Sequence, residues 1–360
     1  GGKNMHKKLF IPGPVEVRKD VLEKMATPMI GHRSKEASEL QRDISDKMRK
    51  VFNTKEEILL STSSGTGLLE GAIRCSTAKR AAIFSIGAFG NRWYQIAECN
   101  NVPADLFEED WGKAVDIDKI DKALATGKYD SLCITHNETS TGVMNPVEDI
   151  AEVVKKYPEI VWCLDTVSSM AGTKIEVDKL GVDICLTSSQ KALGLPPGMA
   201  ICSFSQKAVE RAKKVKFRGY YLDLLSLYNY IHKKDYQYPS TPSISHMFAM
   251  NYQLDRILEE VLENRYKRHI EMAEYVRNWA REYFELFADE RYLSNTLTNI
   301  KNTRNISVAQ LNRDLGERGF QISNGYGKLK EKAFRIAHMA DFNLSDIKEL
   351  IDTVNYILKL

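Results

Sequence analysis

The fold is decided by two apolar runs and the turn between them, in residues 184–204, which read ICLTSSQKALGLPPGMAICSF. Residues 184–189 and 199–204 have the length and composition of buried strands. Only the short stretch from Gln190 to Met199 connects them, whereas a parallel crossover needs a dozen or more residues. We therefore predict that the second strand runs antiparallel to the first.

The same kind of apolar run recurs towards the N-terminus. Helical patterns separate these runs, and their fully apolar character indicates a parallel sheet with helices on both faces. We therefore predict an α/β fold with a mostly parallel sheet. The further predicted strands are residues 57–63, 80–86, 130–136 and 160–166.

The pattern changes after Lys216. A tyrosine-rich stretch precedes a long helical region at about residues 243–287, and strand and helix patterns then alternate again. We predict a large domain over residues 5–240, which includes the N-terminal segment, and a small C-terminal α+β domain over residues 241–360. Ser345 is the predicted N-cap of the last helix.

Charge and composition argue against several classes of protein. The 360 residues carry 51 basic and 48 acidic side chains, and the resulting net charge of +3 gives no reason to expect nucleic acid as a partner. No apolar run approaches the ~20 residues that span a bilayer, so we expect no membrane association. The six cysteines are scattered without a CxxC spacing. They indicate reduced thiols in a cytoplasmic protein, without a disulfide framework or a metal site.

Two features near predicted strand ends suit an anionic and a cationic group. The segment Ser64-Gly65-Thr66 leads directly into a helix, whose free N–H groups suit a phosphate. The alternative is an ordinary capped helix start. Asp165 ends a predicted strand, where its carboxylate could pair with a cationic nitrogen or could simply cap a turn.

Two basic residues also stand out. Lys191 follows a predicted strand, where a desolvated amine could form a Schiff base; the alternative is a surface lysine in a loop. Arg335 lies inside an apolar strand, so its guanidinium needs a partner, either a substrate carboxylate or an internal salt bridge. With the phosphate site and Asp165, these residues form the set that pyridoxal phosphate requires.

Longer motifs carry a family resemblance: PGP at 12–14, GHRS at 31–34, THNETSTGV at 135–143 and SQK at 189–191, followed by GLPPG at 194–198. With these motifs the sequence resembles the class V aminotransferases of pyridoxal phosphate fold type I. The most similar branch is that of the alanine–glyoxylate and serine–pyruvate aminotransferases, and the resemblance covers nearly the whole chain.

The resemblance implies a seven-stranded sheet in the large domain, pyridoxal 5'-phosphate as cofactor, and a homodimer with shared active sites. It implies that Lys191 carries the cofactor as a Schiff base, that Asp165 pairs with the ring nitrogen, and that Arg335 binds the substrate carboxylate beside Gly13. The other implied cofactor contacts are Ser64, Gly65 and Thr66 at the phosphate, Phe89 (commonly Trp in the family) and Val167 on the ring, Thr141 near the phenolic oxygen, Gln190 next to the lysine, and Tyr238 and Thr241 at the phosphate of the neighbouring subunit's cofactor.

The function that this resemblance implies is a ping-pong transfer of an amino group from alanine or serine to glyoxylate or pyruvate. The alternatives are a phosphoserine aminotransferase or a 2-aminoethylphosphonate–pyruvate aminotransferase, in which His32 and Arg33 could bind the substrate phosphate. A cysteine desulfurase would need a reactive cysteine on a mobile loop. A non-catalytic relative of the same fold is disfavoured because Asp165 and Lys191 are intact.

Overall fold

The computed structural model describes residues 5–360. A seven-stranded sheet lies at the centre of the larger, N-terminal part of the chain. In chain order its strands are Glu57–Ser61 (β1), Ala81–Ser85 (β2), Ala104–Glu108 (β3), Ser131–Thr135 (β4), Val161–Asp165 (β5), Ile184–Ser188 (β6) and Ala200–Phe204 (β7). The strands lie in the order β1-β7-β6-β5-β4-β2-β3. Strand β7 is antiparallel to β6 and to β1, and the other neighbouring pairs are parallel.

The predicted antiparallel strand is therefore confirmed, and the mostly parallel α/β architecture is confirmed with it. The apolar runs predicted six of the seven strands. The strand that they missed, β3, lies at the sheet edge and is largely half-buried, so its sequence Ala-Asp-Leu-Phe-Glu lacks the continuous apolar character of a central strand.

Helices cover both faces of this sheet. Successive residues of a strand point to opposite faces, and Trp162 and Leu164 of β5 pack in one buried cluster while Val161 and Cys163 pack in the other. The α-helices of the described residues are Lys19–Lys24 (α1), Lys35–Phe52 (α2), Gly65–Ser76 (α3), Ala88–Cys99 (α4), Ile117–Ala125 (α5), Val147–Val154 (α6), Val177–Leu180 (α7), Gln206–Lys214 (α8), Leu224–Lys233 (α9), Ile244–Glu260 (α10), Leu262–Tyr283 (α11), Val308–Glu317 (α12) and Leu344–Leu358 (α13).

The C-terminal part contains a second, antiparallel sheet, with strand order β8-β9-β11-β10. The predicted boundary near residue 240 stays a prediction, and two segments pack across it. Helix α10 packs against α2, which belongs to the N-terminal part. Phe10 packs among the apolar side chains around the second sheet. The strands of this sheet are Glu285–Leu286 (β8), Leu297–Lys301 (β9), Ser323–Asn324 (β10) and Ala333–Ala337 (β11).

The predicted N-cap of the last helix is wrong. Asn343 caps α13: its side chain accepts a hydrogen bond from the N–H of Asp346, and the Asp346 carboxylate accepts one from the N–H of Asn343. This reciprocal capping box satisfies two donors that Ser345, which lies inside the helix, cannot reach.

Five of the six cysteines are buried and Cys99 is exposed; all six are free thiols. Within residues 5–360, no helix is both long and apolar enough to cross a bilayer. The same residues contain no cluster of three or more histidine, cysteine or acidic side chains that could hold a metal ion.

Candidate active site

A cavity opens at the edge of the large sheet where β4, β5 and β6 end. This is the edge at which open α/β sheets bind their ligands. Thr135, Asp165 and Ser188 are the last residues of these three strands, and all three line the cavity. The fold thus brings together residues from distant parts of the chain, including Lys191 just beyond β6.

The N-terminus of α3 forms one wall of this cavity, and Ser64, Gly65 and Thr66 all line it. Ser64 is the N-cap but accepts no capping hydrogen bond, and the first turn contains no acidic residue. A Cβ at Gly65 would lie 2.9 Å from Cγ2 of Val167, so a side chain there would fill the space beside the helix end. These features leave backbone N–H groups and the positive helix end available to an anion.

Asp165 is 4% exposed and lies at the cavity wall with Val167. Its Oδ1 accepts a hydrogen bond of 2.8 Å from the Val167 N–H. No cationic side chain among residues 5–360 lies within 4.0 Å of its carboxylate. Burial, opposed by the Val167 hydrogen bond, raises the pKa of Asp165 to about 7. A cationic nitrogen beside the carboxylate would lower that pKa again.

Lys191 and Gln190 line the cavity from the turn after β6. The Lys191 ammonium donates a hydrogen bond to the Pro12 carbonyl. Gly13 has a φ of +102°, which favours glycine, and a Cβ there would lie 2.6 Å from Lys191 Nζ. Burial, followed by the charge of Arg335, lowers the pKa of Lys191 to about 8. The amine is therefore much closer to its neutral, nucleophilic form than an exposed lysine.

The turn that carries Lys191 is held by side chains from α10 and α11, which the sequence did not single out. Nη2 of Arg265, which is 1% exposed, donates to the Ala192 carbonyl at 2.6 Å. Nε2 of Gln253 donates to the Leu193 carbonyl at 2.9 Å. Two consecutive carbonyls next to Lys191 are thereby fixed from outside the sheet.

Phe89 lines the cavity from the first turn of α4. The buried Glu138 carboxylate caps this turn, because its Oε1 accepts hydrogen bonds of 3.0 Å from the N–H groups of Phe89 and Gly90. Arg92, another lining residue, places its Cζ 4.6 Å from the centre of the Phe89 ring. The sequence analysis singled out neither Glu138 nor Arg92, because Glu138 caps a helix that begins 50 residues earlier in the chain and no local pattern links the two.

The structure does not bring Thr141 to the cavity wall. Thr141 is completely buried, and its hydroxyl faces the Glu138 carbonyl and the Val143 N–H. Thr139, two residues earlier, lines the cavity and shares a 2.6 Å hydrogen bond with the hydroxyl of Ser168. The motif was recognised, but its tight turn between residues 138 and 142 decides which hydroxyl faces the cavity, and the sequence does not show that.

Arg335 lies on β11 at the border of the cavity. Its Nη1 donates to the carbonyl of the lining residue Thr139 at 3.3 Å, and its Nε donates to the Asn324 carbonyl at 3.1 Å. Among the described residues no carboxylate lies within 4.0 Å of this guanidinium, so the internal salt bridge considered above is not formed. Its charge is left available for an anionic ligand.

Tyr238 and Thr241 do not line the cavity of their own chain. Tyr238 is 3% exposed and its hydroxyl accepts a 3.0 Å hydrogen bond from the Thr62 N–H, whereas Thr241 is exposed. Arg33 is also away from the cavity wall and donates to the Tyr238 carbonyl. Contacts of Tyr238 and Thr241 across a dimer stay a prediction.

Comparisons with known proteins agree on one family. A family model described as "Aminotransferase class-V" matches residues 18–328. An uncharacterized aminotransferase of Methanocaldococcus jannaschii is 38% identical, covering 98% of this chain and 93% of that protein. A serine–glyoxylate aminotransferase of Arabidopsis thaliana is 32% identical, covering 98% and 90%. The solved alanine–glyoxylate aminotransferase of a Nostoc species superposes with a TM-score of 0.93 at 26% identity, covering 99% of this chain and 96% of that one.

Proposed function

The chain belongs to the class-V aminotransferase family and is a transaminase with the fold of the type I pyridoxal-phosphate enzymes; we propose that it uses pyridoxal 5'-phosphate to move the amino group of alanine or serine to glyoxylate or pyruvate by a ping-pong mechanism. The observation that carries this proposal is the convergence of Lys191, Asp165 and the start of α3 on one cavity. The family relationship and the relatives that act on glyoxylate support the choice of substrates.

The residues present fit this cofactor. The cavity offers an anion site at Ser64–Thr66, a buried carboxylate without a cationic partner, and a lysine of lowered pKa. It also contains three buried side-chain atoms, Thr135 Oγ1, Ser188 Oγ and Gln190 Oε1, that have no hydrogen-bond partner among the described residues. Buried polar atoms of this kind require a partner, and a polar ligand supplies one.

When bound, pyridoxal phosphate supplies an electron sink for the negative charge that develops at the substrate α-carbon. Asp165 would hold a proton at the ring nitrogen, because its carboxylate is the only acidic group of the cavity wall among residues 5–360. Lys191 Nζ would hold the cofactor covalently and then carry the proton that leaves the α-carbon. Arg335 would bind the substrate α-carboxylate through a bidentate pair of guanidinium hydrogen bonds.

The alternatives make different demands on the site. A phosphoserine or aminoethylphosphonate aminotransferase needs further cations for the substrate phosphate, but the Arg33 guanidinium is already engaged by the Tyr238 carbonyl and by Gln237. A desulfurase needs a reactive thiol on a mobile loop at the site, whereas five of the six cysteines are buried, the exposed Cys99 is the last residue of α4, and no cysteine of the described residues lines the cavity. The buried free thiols also support our proposal of a cytoplasmic location.

We also propose a homodimer in which Tyr238 and Thr241 reach the phosphate of the cofactor in the neighbouring subunit. Thr241 is exposed and lies between Pro239 and Pro242, which stiffen the segment and suit it to an interface. Sedimentation of the active enzyme should give a dimer, and Thr241→Ala should weaken cofactor binding without weakening the dimer. A fully active monomer on dilution contradicts this proposal.

The function is tested by assaying the cofactor-loaded protein with a panel of amino acids against glyoxylate and pyruvate. We expect turnover with alanine or serine as donor, and a covalent protein–cofactor adduct that borohydride fixes at Lys191. Lys191→Ala should abolish both, while the exposed control Lys179→Ala should leave both unchanged. A Lys191→Ala enzyme with near-normal turnover contradicts the assignment, and preferential turnover of phosphoserine supports the first alternative.

A further inference from the structure

A tyrosine in a glycine-flanked loop lies between two residues of the proposed active site. The centre of the Tyr326 ring is 5.5 Å from that of Phe89 and 5.5 Å from Cζ of Arg335. Phe89 lines the cofactor cavity, and Arg335 is the proposed carboxylate site. Tyr326 is therefore next to the place where the amino acid substrate must lie.

The loop that carries Tyr326 is fixed to the strand that carries Arg335. A Cβ at Gly325 would lie 2.1 Å from the Leu329 carbonyl, so only glycine fits there. The Gly325 N–H donates to the Ala333 carbonyl at 2.9 Å, and the Asn324 carbonyl accepts from Arg335 Nε. Tyr326 and Arg335 are consequently held in one rigid unit, and a carboxylate on Arg335 has a defined position relative to the phenol.

The Tyr326 side chain is half-buried, and its hydroxyl makes no hydrogen bond to any residue in the range 5–360. A phenol that is so placed offers a donor and an acceptor to a ligand, while its ring limits the space beside the guanidinium. The ring therefore favours a compact substrate side chain beside a carboxylate on Arg335. A hydroxyl at the end of such a side chain would give the free phenol a hydrogen-bond partner.

We propose that Tyr326 selects the side chain of the amino acid substrate, admitting compact side chains and favouring a hydroxyl-bearing one, as in serine, over the methyl group of alanine. This inference rests on the proposed function and narrows its substrate class. Tyr326 recognises the substrate through the phenol, whereas Arg335 recognises the α-carboxylate that all amino acids share. Tyr326 therefore determines which side chain is accepted, and Arg335 binds the group common to all amino acids.

The test compares Tyr326→Phe, Tyr326→Ala and a matched control, Tyr356→Phe, whose tyrosine is 74% exposed on α13. In Tyr326→Phe we expect kcat/KM for serine to fall about tenfold while that for alanine stays within about twofold, which is the usual effect of losing one hydrogen bond. In Tyr326→Ala we expect larger amino acids to gain relative to serine. The control should keep the wild-type ratios.

Binding gives a second readout. On a Lys191→Ala background, which should not turn over, Tyr326→Phe should raise the Kd of serine about tenfold and leave that of alanine unchanged. If the wild type transaminates but Tyr326→Phe leaves the serine-to-alanine ratio unchanged in both kinetics and binding, the proposed role of Tyr326 is wrong. The proposed function is not affected by that outcome. A wild-type enzyme that transaminates no amino acid overturns the proposed function and this inference together.

Discussion

At the scale of single residues, burial moves the two titratable groups of the cavity towards neutral pH. The pKa of Asp165 rises to about 7 and that of Lys191 falls to about 8. Neither has an oppositely charged side chain within 4.0 Å among residues 5–360. Acids and bases tuned to this range are typical of active sites, because they can give up or accept a proton at working pH.

Asp165→Asn should change how the stability of the cofactor-free protein depends on pH. The folded pKa of Asp165, about 7, lies above its ordinary value of 3.8, so ionisation of this carboxyl destabilises the fold as pH rises from about 4 to about 7. Between pH 5 and 8 the Tm of the wild type should fall by about 5 °C relative to that of Asp165→Asn. Differential scanning fluorimetry at both pH values measures this, and a constant difference contradicts it.

Arg335→Lys should separate substrate binding from stability. Lysine keeps the charge but loses the two parallel hydrogen bonds of the guanidinium, so KM for the amino acid should rise about tenfold or more. The Tm should move little, because no internal ion pair is lost. A lower Tm with an unchanged KM would instead show that the two carbonyl contacts of Arg335 are its main role.

At the scale of elements, the sequence predicts strands of uniform burial and motifs of consecutive residues. Six strands could be predicted because they are buried along their whole length, whereas the largely half-buried edge strand β3 could not. The motif at 135–143 could be found, but choosing Thr139 over Thr141 needs the turn geometry. Arg265 and Gln253 contact the Lys191 turn from helices that are far away in the sequence. No local sequence pattern predicts such contacts.

Asn343→Ala tests the cap of α13 that the structure assigns. Loss of the capping box should cost about 1 kcal/mol and lower the Tm, with activity unchanged, because α13 does not line the cavity. Ser345→Ala is the matched control and should leave the Tm within about 1 °C, since Ser345 does not cap the helix. Equal effects of the two substitutions would contradict the assignment of Asn343.

At the scale of the whole molecule, the two sheets share the active site, and two buried histidines lie beside the smaller sheet. Lys191 and Asp165 belong to the large sheet and Arg335 to the small one. Nε2 of His269 on α11 accepts a 3.1 Å hydrogen bond from the Ala340 N–H, close to the end of β11. Nε2 of His338 shares a 2.8 Å hydrogen bond with Thr298 of β9. Both imidazoles are completely buried, so the packing around the smaller sheet depends on their staying neutral.

The buried histidines should make the protein sensitive to acid. Burial lowers the pKa of His338 from 6.5 to about 3 and that of His136 to about 4, and it also lowers that of His269. The unfolded chain therefore binds more protons below pH 6.5, and the stability present at neutral pH is lost as pH falls from about 6.5. At pH 5, 1.5 units below the ordinary value, His338 alone should cost about 2 kcal/mol.

The comparison that isolates His338 is His338→Asn against wild type at pH 7.5 and pH 5. The variant has lost a buried hydrogen bond and should be less stable at pH 7.5. At pH 5 the difference in free energy of unfolding should shrink by about 2 kcal/mol, because only the wild type must deprotonate a buried imidazole. Asp165 titrates in the opposite sense, but it is present in both proteins and cancels. A gap that stays constant between the two pH values would mean that the His338 imidazole is protonated in the fold, and the acid sensitivity would then lie elsewhere.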